Sequence, residues 1–440
     1  METDQTEAVR TGSDQVSTAL ASNKKLVNGM EILSHRMDGL RSVSMSIAVR
    51  AGSSHEPAAL SGIAHFTEHM VFKGTKNKSA FQLKEPIERV GGTLNAFTGK
   101  ENTVYFARVP DSKAEVAVDI LKSICSSATF AEKLFELEKQ VVIEEISAAD
   151  DDPSDKVYEN FFNNVWGNCQ YGNPVLGTTA TVSEFSRQNL VDFYNNSYKP
   201  SKMVFSVAGN YSEDLLSTFN DFESIKGDRE ISPLIYRPSD PVVLEERKDL
   251  KQLHMLMGIE APARKDPDFN VFQVLNTILG GGMSSKLFNR LREELGLVYT
   301  IDSGLISYPE GGLFFIYAAT TADRFKKLMN ELIDELRKIV DNGISEDDIQ
   351  YGKERLKGKL LLSTESTYAT MMRNLDTGLA FGRPLTVEEM VERVNSVDIE
   401  HMKKVLEKYF LKEWTLSLVT PKNISNDLFR KEWNEKGITL

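Results

Sequence analysis

The sequence predicts an α+β protein of two homologous domains, each a mainly antiparallel sheet with helices packed on one face. Three observations predict it. A polar stretch holding three prolines, NDFESIKGDREISPLIYRPSDPVV at 220–243, divides the 440 residues into halves of similar size. The same order of strand-like and helix-like segments can be read on both sides of that stretch. In each half, two-residue alternation is interleaved with 3.6-residue periodicity, the mark of strands mixed with helices.

In the first half SVSMSIAVRA (42–51) reads as a strand, because β-branched and apolar residues run without a breaker. A helix through HFTEH comes next, then a glycine turn at GGTL (91–94). NTVYFARV (102–109) alternates and is expected to be a strand with one buried face. AEVAVDILKSI (114–124) places its apolar residues at helical spacing. After the proline-bearing stretch the order returns. QLHMLMGIEAP (252–262) is strand-like, and FNVFQVLNTILGG (269–281) is helical up to a glycine turn. GLFFIYAATT (312–321) is a strand again expected to bury one face, and RFKKLMNELIDELRKIV (324–340) is an amphipathic helix. Overlaying HMVFKG on NTILGG sets Asn276 opposite His69, and the second half contains no HxxEH. A diverged duplication is expected, with domains at 26–222 and 242–440, a linker at 223–241 and a polar, disordered tail at 1–25.

Composition narrows the function. Hydrophobic residues at 41% and charged residues at 26% describe an ordinary globular protein. A net charge of −12 with no Lys/Arg block argues against a nucleic-acid partner. No apolar run is long enough for a membrane helix; the best candidate, GLFFIYAA (312–319), has strand length. The first 25 residues have neither a secretory apolar core nor the acid-poor character of an organellar presequence, so a cytoplasmic and bacterial setting is expected. Cys125 and Cys169 form no metal-like CxxC and are expected to be buried free thiols.

The chemistry concentrates in SGIAHFTEHMVFKGT (61–75), where two of the six histidines stand four residues apart. On a helix, positions i and i+4 lie one above the other with i+3 beside them. His65 and His69 can therefore aim two imidazoles at one point, with Glu68 within reach of whatever is bound there. Two neutral imidazoles suit Zn²⁺, and a catalytic zinc takes a third protein ligand while leaving one position open. A carboxylate that is not a ligand can then serve as general base, the role Glu68 is placed to fill. The third ligand is expected from another helix. FELEKQVVIEEISAADDDP (135–153) offers Glu136, Glu138, Glu144 and Glu145, with Leu137, Val141 and Val142 assigned to its apolar face. Periodicity does not choose among the four. Glu138 and Glu145, two turns apart, share a face and form a joint candidate for a ligand and its support.

With these residues in view, the chain resembles the M16 metallopeptidases: pitrilysin, insulysin and the mitochondrial processing peptidase. AHFTEHMVFKGT is similar to the processing-peptidase form of the motif. Glu145 lies 76 residues beyond His69, the family's spacing for its third zinc ligand, and VVIEEI (141–146) matches the approach to it. The resemblance thus implies His65, His69 and Glu145 around one Zn²⁺ and Glu68 as base. Glu138 matches a second family glutamate that supports the site. GGTLNAFTGKENTVYFARV (91–109) resembles the family's edge strand, where Asn95, Ala96 and Phe97 would align a peptide by main-chain pairing. LGGGMSSKLFNRLREELGLVYTIDSG (279–304) resembles the glycine loop and Arg/Tyr pair, here Arg292 and Tyr299, which would hold the substrate carbonyl and its developing oxyanion. The resemblance implies a zinc endopeptidase acting on peptides or unfolded segments inside a closed chamber. Insulysin-type chains carry four such domains and this one two, so a homodimer, or a heterodimer with a related subunit, is expected to complete the chamber. The alternative is a non-catalytic or partner-dependent subunit of a processing-peptidase-like pair.

Overall fold

The computed structural model describes residues 21–167, 169–221, 234–422 and 424. The first half builds a six-stranded sheet from β1 (Ser22–Lys25), β2 (Glu31–Arg36), β3 (Ser42–Val49), β4 (Thr93–Thr98), β5 (Thr103–Pro110) and β6 (Met203–Gly209). The second builds a five-stranded sheet from β7 (Val242–Glu246), β8 (Leu253–Ala261), β9 (Thr300–Ser307), β10 (Gly312–Thr320) and β11 (Thr415–Thr420). The fold is α+β.

The strand orders are β1-β2-β6-β3-β5-β4 and β7-β11-β8-β10-β9. Setting β1 aside, the two coincide when β2 to β6 are matched in turn with β7 to β11. The senses coincide as well. β2 runs parallel to β6 and β7 parallel to β11, and every other matched pair is antiparallel. Both halves therefore share one topology, the relation that the repeated order of sequence elements suggests. The region expected as a tail to residue 25 is corrected at its end: Ser22–Lys25 pairs with β2 from Ser22↔Ser34 to Lys25↔Glu31. Residues 1–20 of that tail lie outside the described residues, as does 223–233 of the linker. The remainder of the linker is anchored: the Arg237 and Ser239 amides donate to the Val165 and Asn164 carbonyls, and Leu234 and Tyr236 pack on apolar residues of the second sheet.

Within each half the helices pack on one sheet face. The first core joins Met45, Ile47, Tyr105 and Phe205 to Phe66, Leu121 and Leu190, and the second joins Met255, Phe314 and Leu418 to Phe272, Leu332 and Phe410. The opposite faces are covered by exchange. Thr367–Phe381, from the second half, lies across the first sheet, where Ser44 Oγ and Thr367 Oγ1 are 2.9 Å apart and Ser206 Oγ donates to the Met371 carbonyl. Pro153–Trp166, from the first half, lies across the second sheet and buries Val157 and Phe161 against Leu256 and Val419. This exchange corrects the expectation for 312–321: β10 is buried along its whole length, because both of its faces are covered. β4 is different. It stands at the edge of its sheet with every second residue exposed.

Candidate metal centre

The HFTEH residues sit on the helix Ile63–Val71, whose start is fixed by backbone chemistry. Gly62 caps it with φ +95°, and a Cβ there would lie 2.6 Å from the Leu176 carbonyl oxygen, so only glycine fits. Glu56, fully buried, accepts from the Gly62 amide at 2.8 Å and the Ala64 amide at 2.7 Å. A carboxylate at this end satisfies donors that have no partner within the helix and faces the positive end of its dipole. Burial pushes the Glu56 carboxyl up to about 8, against the pull of both amides and of Lys100.

The second element is the helix Glu132–Asp151. Phe66 and Phe135 meet edge to face, 5.2 Å between centroids, and lock the two helices together; burial of each ring is worth about 1.5–3 kcal/mol. The apolar face expected for this helix needs correction. Val142 is buried, but Leu137 and Val141 are 56% and 47% exposed, and the buried stripe is Phe135, Glu138, Val142 and Ile146. A carboxylate thus occupies a core position, which helical hydrophobicity alone would give to an apolar residue.

Glu138 is tolerated there because it is paired. Its Oε1 lies 2.9 Å from His69 Nδ1 and its Oε2 2.5 Å from Lys73 Nζ. Burial opposes its charge, but these two partners win and hold the carboxyl below the usual glutamate range. Accepting the Nδ1 proton of His69 leaves the Nε2 lone pair facing the other way. That nitrogen is 3.5 Å from Glu145 Oε2, and His65 Nε2 is 3.9 Å from Glu145 Oε1. One ligand atom from each of His65, His69 and Glu145 lies within 4.8 Å of the others. A tetrahedral ion with ligands at about 2.0–2.1 Å sets neighbouring donors about 3.4 Å apart, so the spacing fits a zinc-sized ion. The imidazole centroids are 4.6 Å apart.

The electrostatics suit a cation. Burial drives His65 down to about 3, with the neighbouring His69 adding to the shift, so this imidazole is neutral across the physiological range. Burial would lower His69 too, but the Glu138 hydrogen bond and the charges of Glu145, Glu138 and Glu68 raise it above its ordinary value. Burial also raises Glu68. Among the described residues His65 Nδ1 has no hydrogen-bond partner.

Glu68 faces β4. Thr98, the last residue of that strand, donates its hydroxyl to Glu68 Oε2 at 2.6 Å. Asn95, Ala96 and Phe97 lie on the same edge strand, with the Ala96 amide donating to Asn95 Oδ1 and Phe97 41% exposed. Arg292 and Tyr299 are brought together elsewhere: the guanidinium carbon is 5.5 Å from the Tyr299 ring centroid and 4.7 Å from that of Phe288. Among the described residues neither makes a hydrogen bond or ion pair with His65, Glu68, His69 or Glu145. Tyr299 is 72% exposed. Sequence reasoning missed Glu56, Lys73 and Thr98. Glu56 leaves a trace, an acid shortly before the glycine that starts a helix, whereas Thr98 and Lys73 act through tertiary contacts alone. Cys125 is buried, as expected, but Cys169 is only half-buried, and the two are unbridged.

The family model described as "Insulinase (Peptidase family M16)" matches residues 31–179, and the one described as "Peptidase M16 inactive domain" matches 184–356. An uncharacterized zinc protease of Bacillus subtilis is 34% identical over 395 residues, covering 90% of this chain and 97% of its own. The chain belongs to peptidase family M16. An uncharacterized zinc protease of Mycobacterium leprae is 33% identical over 90% of this M16 chain and 91% of its own length. A protease from Helicobacter pylori has the same fold, with a TM-score of 0.84 and 21% identity over 92% of this chain and 100% of that one. So has a Pseudomonas fluorescens protein described as a peptidase M16 inactive domain, with a TM-score of 0.85 and 18% identity over 92% and 99%. Within this M16 chain, the histidine pair lies in the segment that matches the insulinase model, and Arg292 and Tyr299 lie in the segment that matches the inactive-domain model. Among the described residues no helix is long and apolar enough to cross a membrane.

Proposed function

We propose that the chain is a zinc-dependent endopeptidase that hydrolyses peptides or unfolded protein segments. The observation that carries this reading is the convergence of His65, His69 and Glu145 from two helices, with Glu68 beside them and not among them. His65, His69 and Glu145 would hold one Zn²⁺. When bound, the ion supplies a Lewis acid for the scissile carbonyl and makes water easier to deprotonate. Glu68 takes the proton of the attacking water and delivers it to the departing amine. Glu138 fixes the tautomer and orientation of His69. β4 receives the substrate as an added strand along Asn95, Ala96 and Phe97, which favours extended peptides over folded proteins.

Arg292 and Tyr299 steady the carbonyl oxygen as it gains charge. The exposure of Tyr299, and the lack of any hydrogen bond or ion pair between this pair and the histidine site among the described residues, support a dimer in which one chain's pair serves the other's metal centre, within a chamber that admits only what fits. The same observation favours one second reading, a subunit whose activity depends on a related partner. A cytoplasmic setting in a bacterium belongs to the proposal and agrees with the bacterial relatives. The deciding experiment is digestion of a random peptide library by the purified chain, with and without a chelator, with zinc measured in the same sample. Cleavage that is lost with the metal and restored by zinc supports the reading. A zinc-loaded chain that cuts nothing alone and cuts when a related subunit is added supports the second.

A further inference from the structure

We propose that Thr98 is the positioning residue that holds Glu68 for proton transfer, tying the base to the strand that receives the substrate. The inference rests on the reading of Glu68 as the base. Thr98 Oγ1 is 2.6 Å from Glu68 Oε2 and 3.3 Å from Thr103 Oγ1, its cross-strand neighbour on β5. A hydroxyl has one proton to give. Thr103 gives its own to the buried Ala51 carbonyl at 2.8 Å, so towards Thr98 it can only accept, and the one Thr98 proton has two acceptors to choose from. It goes to the Glu68 carboxylate, which at 2.6 Å against 3.3 Å is nearer than Thr103 and is the stronger acceptor.

Oε2 is thereby committed and Oε1 remains for the reaction. A glutamate side chain has several rotatable bonds, and a base must stay within about 2.6–3.2 Å of the proton it takes. Thr98 is itself rigid. It is β-branched, lies in register opposite Thr103, and is followed by a tight turn closed by the Gly99 amide on the Asn102 carbonyl at 2.8 Å. It also lies on β4 directly after Asn95, Ala96 and Phe97. A peptide paired on that strand and the base that serves it are then set by one backbone segment, one hydrogen bond apart.

Thr98→Val keeps the branched shape and removes the hydroxyl, and Thr98→Ser keeps the hydroxyl. With zinc-loaded protein, Thr98→Val should lower kcat by roughly 10–100-fold while KM, zinc content and melting temperature stay at wild-type values. Thr98→Ser should recover most of the loss. In a Glu68→Gln background Thr98→Val should cost nothing further, because the group it holds is gone. Wild-type kcat in Thr98→Val overturns the proposal, as does an equal cost in both backgrounds or a loss of zinc or melting temperature that parallels the loss of rate. Should the wild-type chain cut no peptide, the peptidase reading fails on its own. A crystal structure of Thr98→Val then decides the positioning role: a displaced or multiply placed Glu68 carboxylate upholds it, and an unchanged one overturns it.

Discussion

His69 Nδ1 and Glu138 Oε1 stand 2.9 Å apart, and the other Glu138 oxygen is 2.5 Å from Lys73 Nζ. This chain of contacts turns a carboxylate in the core stripe of one helix into the part that aims an imidazole on another. Glu138→Gln keeps the shape but presents an amide that no longer draws on the Nδ1 proton with a full charge. Zinc affinity should fall by about 10–100-fold with the fold intact, as measured by competition with a chromophoric chelator. Wild-type affinity would show that His69 needs no such partner.

The same residues set a pH dependence. His69 is raised above 6.5 in the metal-free chain, with Glu138 the main cause against burial, and zinc must displace its proton. Affinity should therefore be full at high pH and weaken as pH falls through the raised His69 value, starting above 6.5. His65, lowered to about 3, carries no proton to displace in that range. Calorimetric titrations in buffers of different ionisation enthalpy should register proton release that approaches one per zinc as pH falls through the His69 value. Affinity and proton count that stay flat from pH 8 to pH 6 would contradict the assignment.

Glu56 bears on the start of the histidine helix. Replacing it with alanine leaves the Gly62 and Ala64 amides buried without an acceptor, a loss of about 2–4 kcal/mol in unfolding free energy. Urea denaturation of the metal-free protein reads this directly. A change within experimental error would mean that the helix start is held by other means.

Gly62 tests the same corner sterically. Gly62→Ala would place a side chain at φ +95° and against the Leu176 carbonyl, and should cost about 1–3 kcal/mol or more. Thermal melting of the variant checks it; a gain in melting temperature would contradict the close approach.

Much of this is legible in the residues. The strands at 42–51, 102–109, 252–262 and 312–321 and the helices at 114–124, 269–281 and 324–340 are recovered within a few residues, because long apolar or periodic runs announce themselves. The duplication is visible as a repeated order of elements, and the shared strand order gives it a structural form. Short strands such as β1, β2, β7 and β11 are not readable, since four to six residues hold too little pattern. The exchange of Pro153–Trp166 and Thr367–Phe381 between the halves is also hidden: local periodicity shows that a helix has a buried face, not which sheet covers it. At the site, the i, i+4 histidines and Glu68 are written in the sequence. The choice of Glu145 among four glutamates comes from family spacing, and Leu137 and Val141 mislead because helix 132–151 spends a core position on Glu138.

The central claim is that His65, His69 and Glu145 hold one zinc while Glu68 acts on water without binding metal. Zinc content and peptidase activity measured together on wild type, Glu145→Gln and Glu68→Gln test it most directly. One zinc per wild-type chain is expected, with metal lost in Glu145→Gln. Glu68→Gln should keep its zinc and lose activity by a factor of roughly 100 or more. Full zinc in Glu145→Gln, or near-wild-type activity in a zinc-loaded Glu68→Gln, would contradict the account.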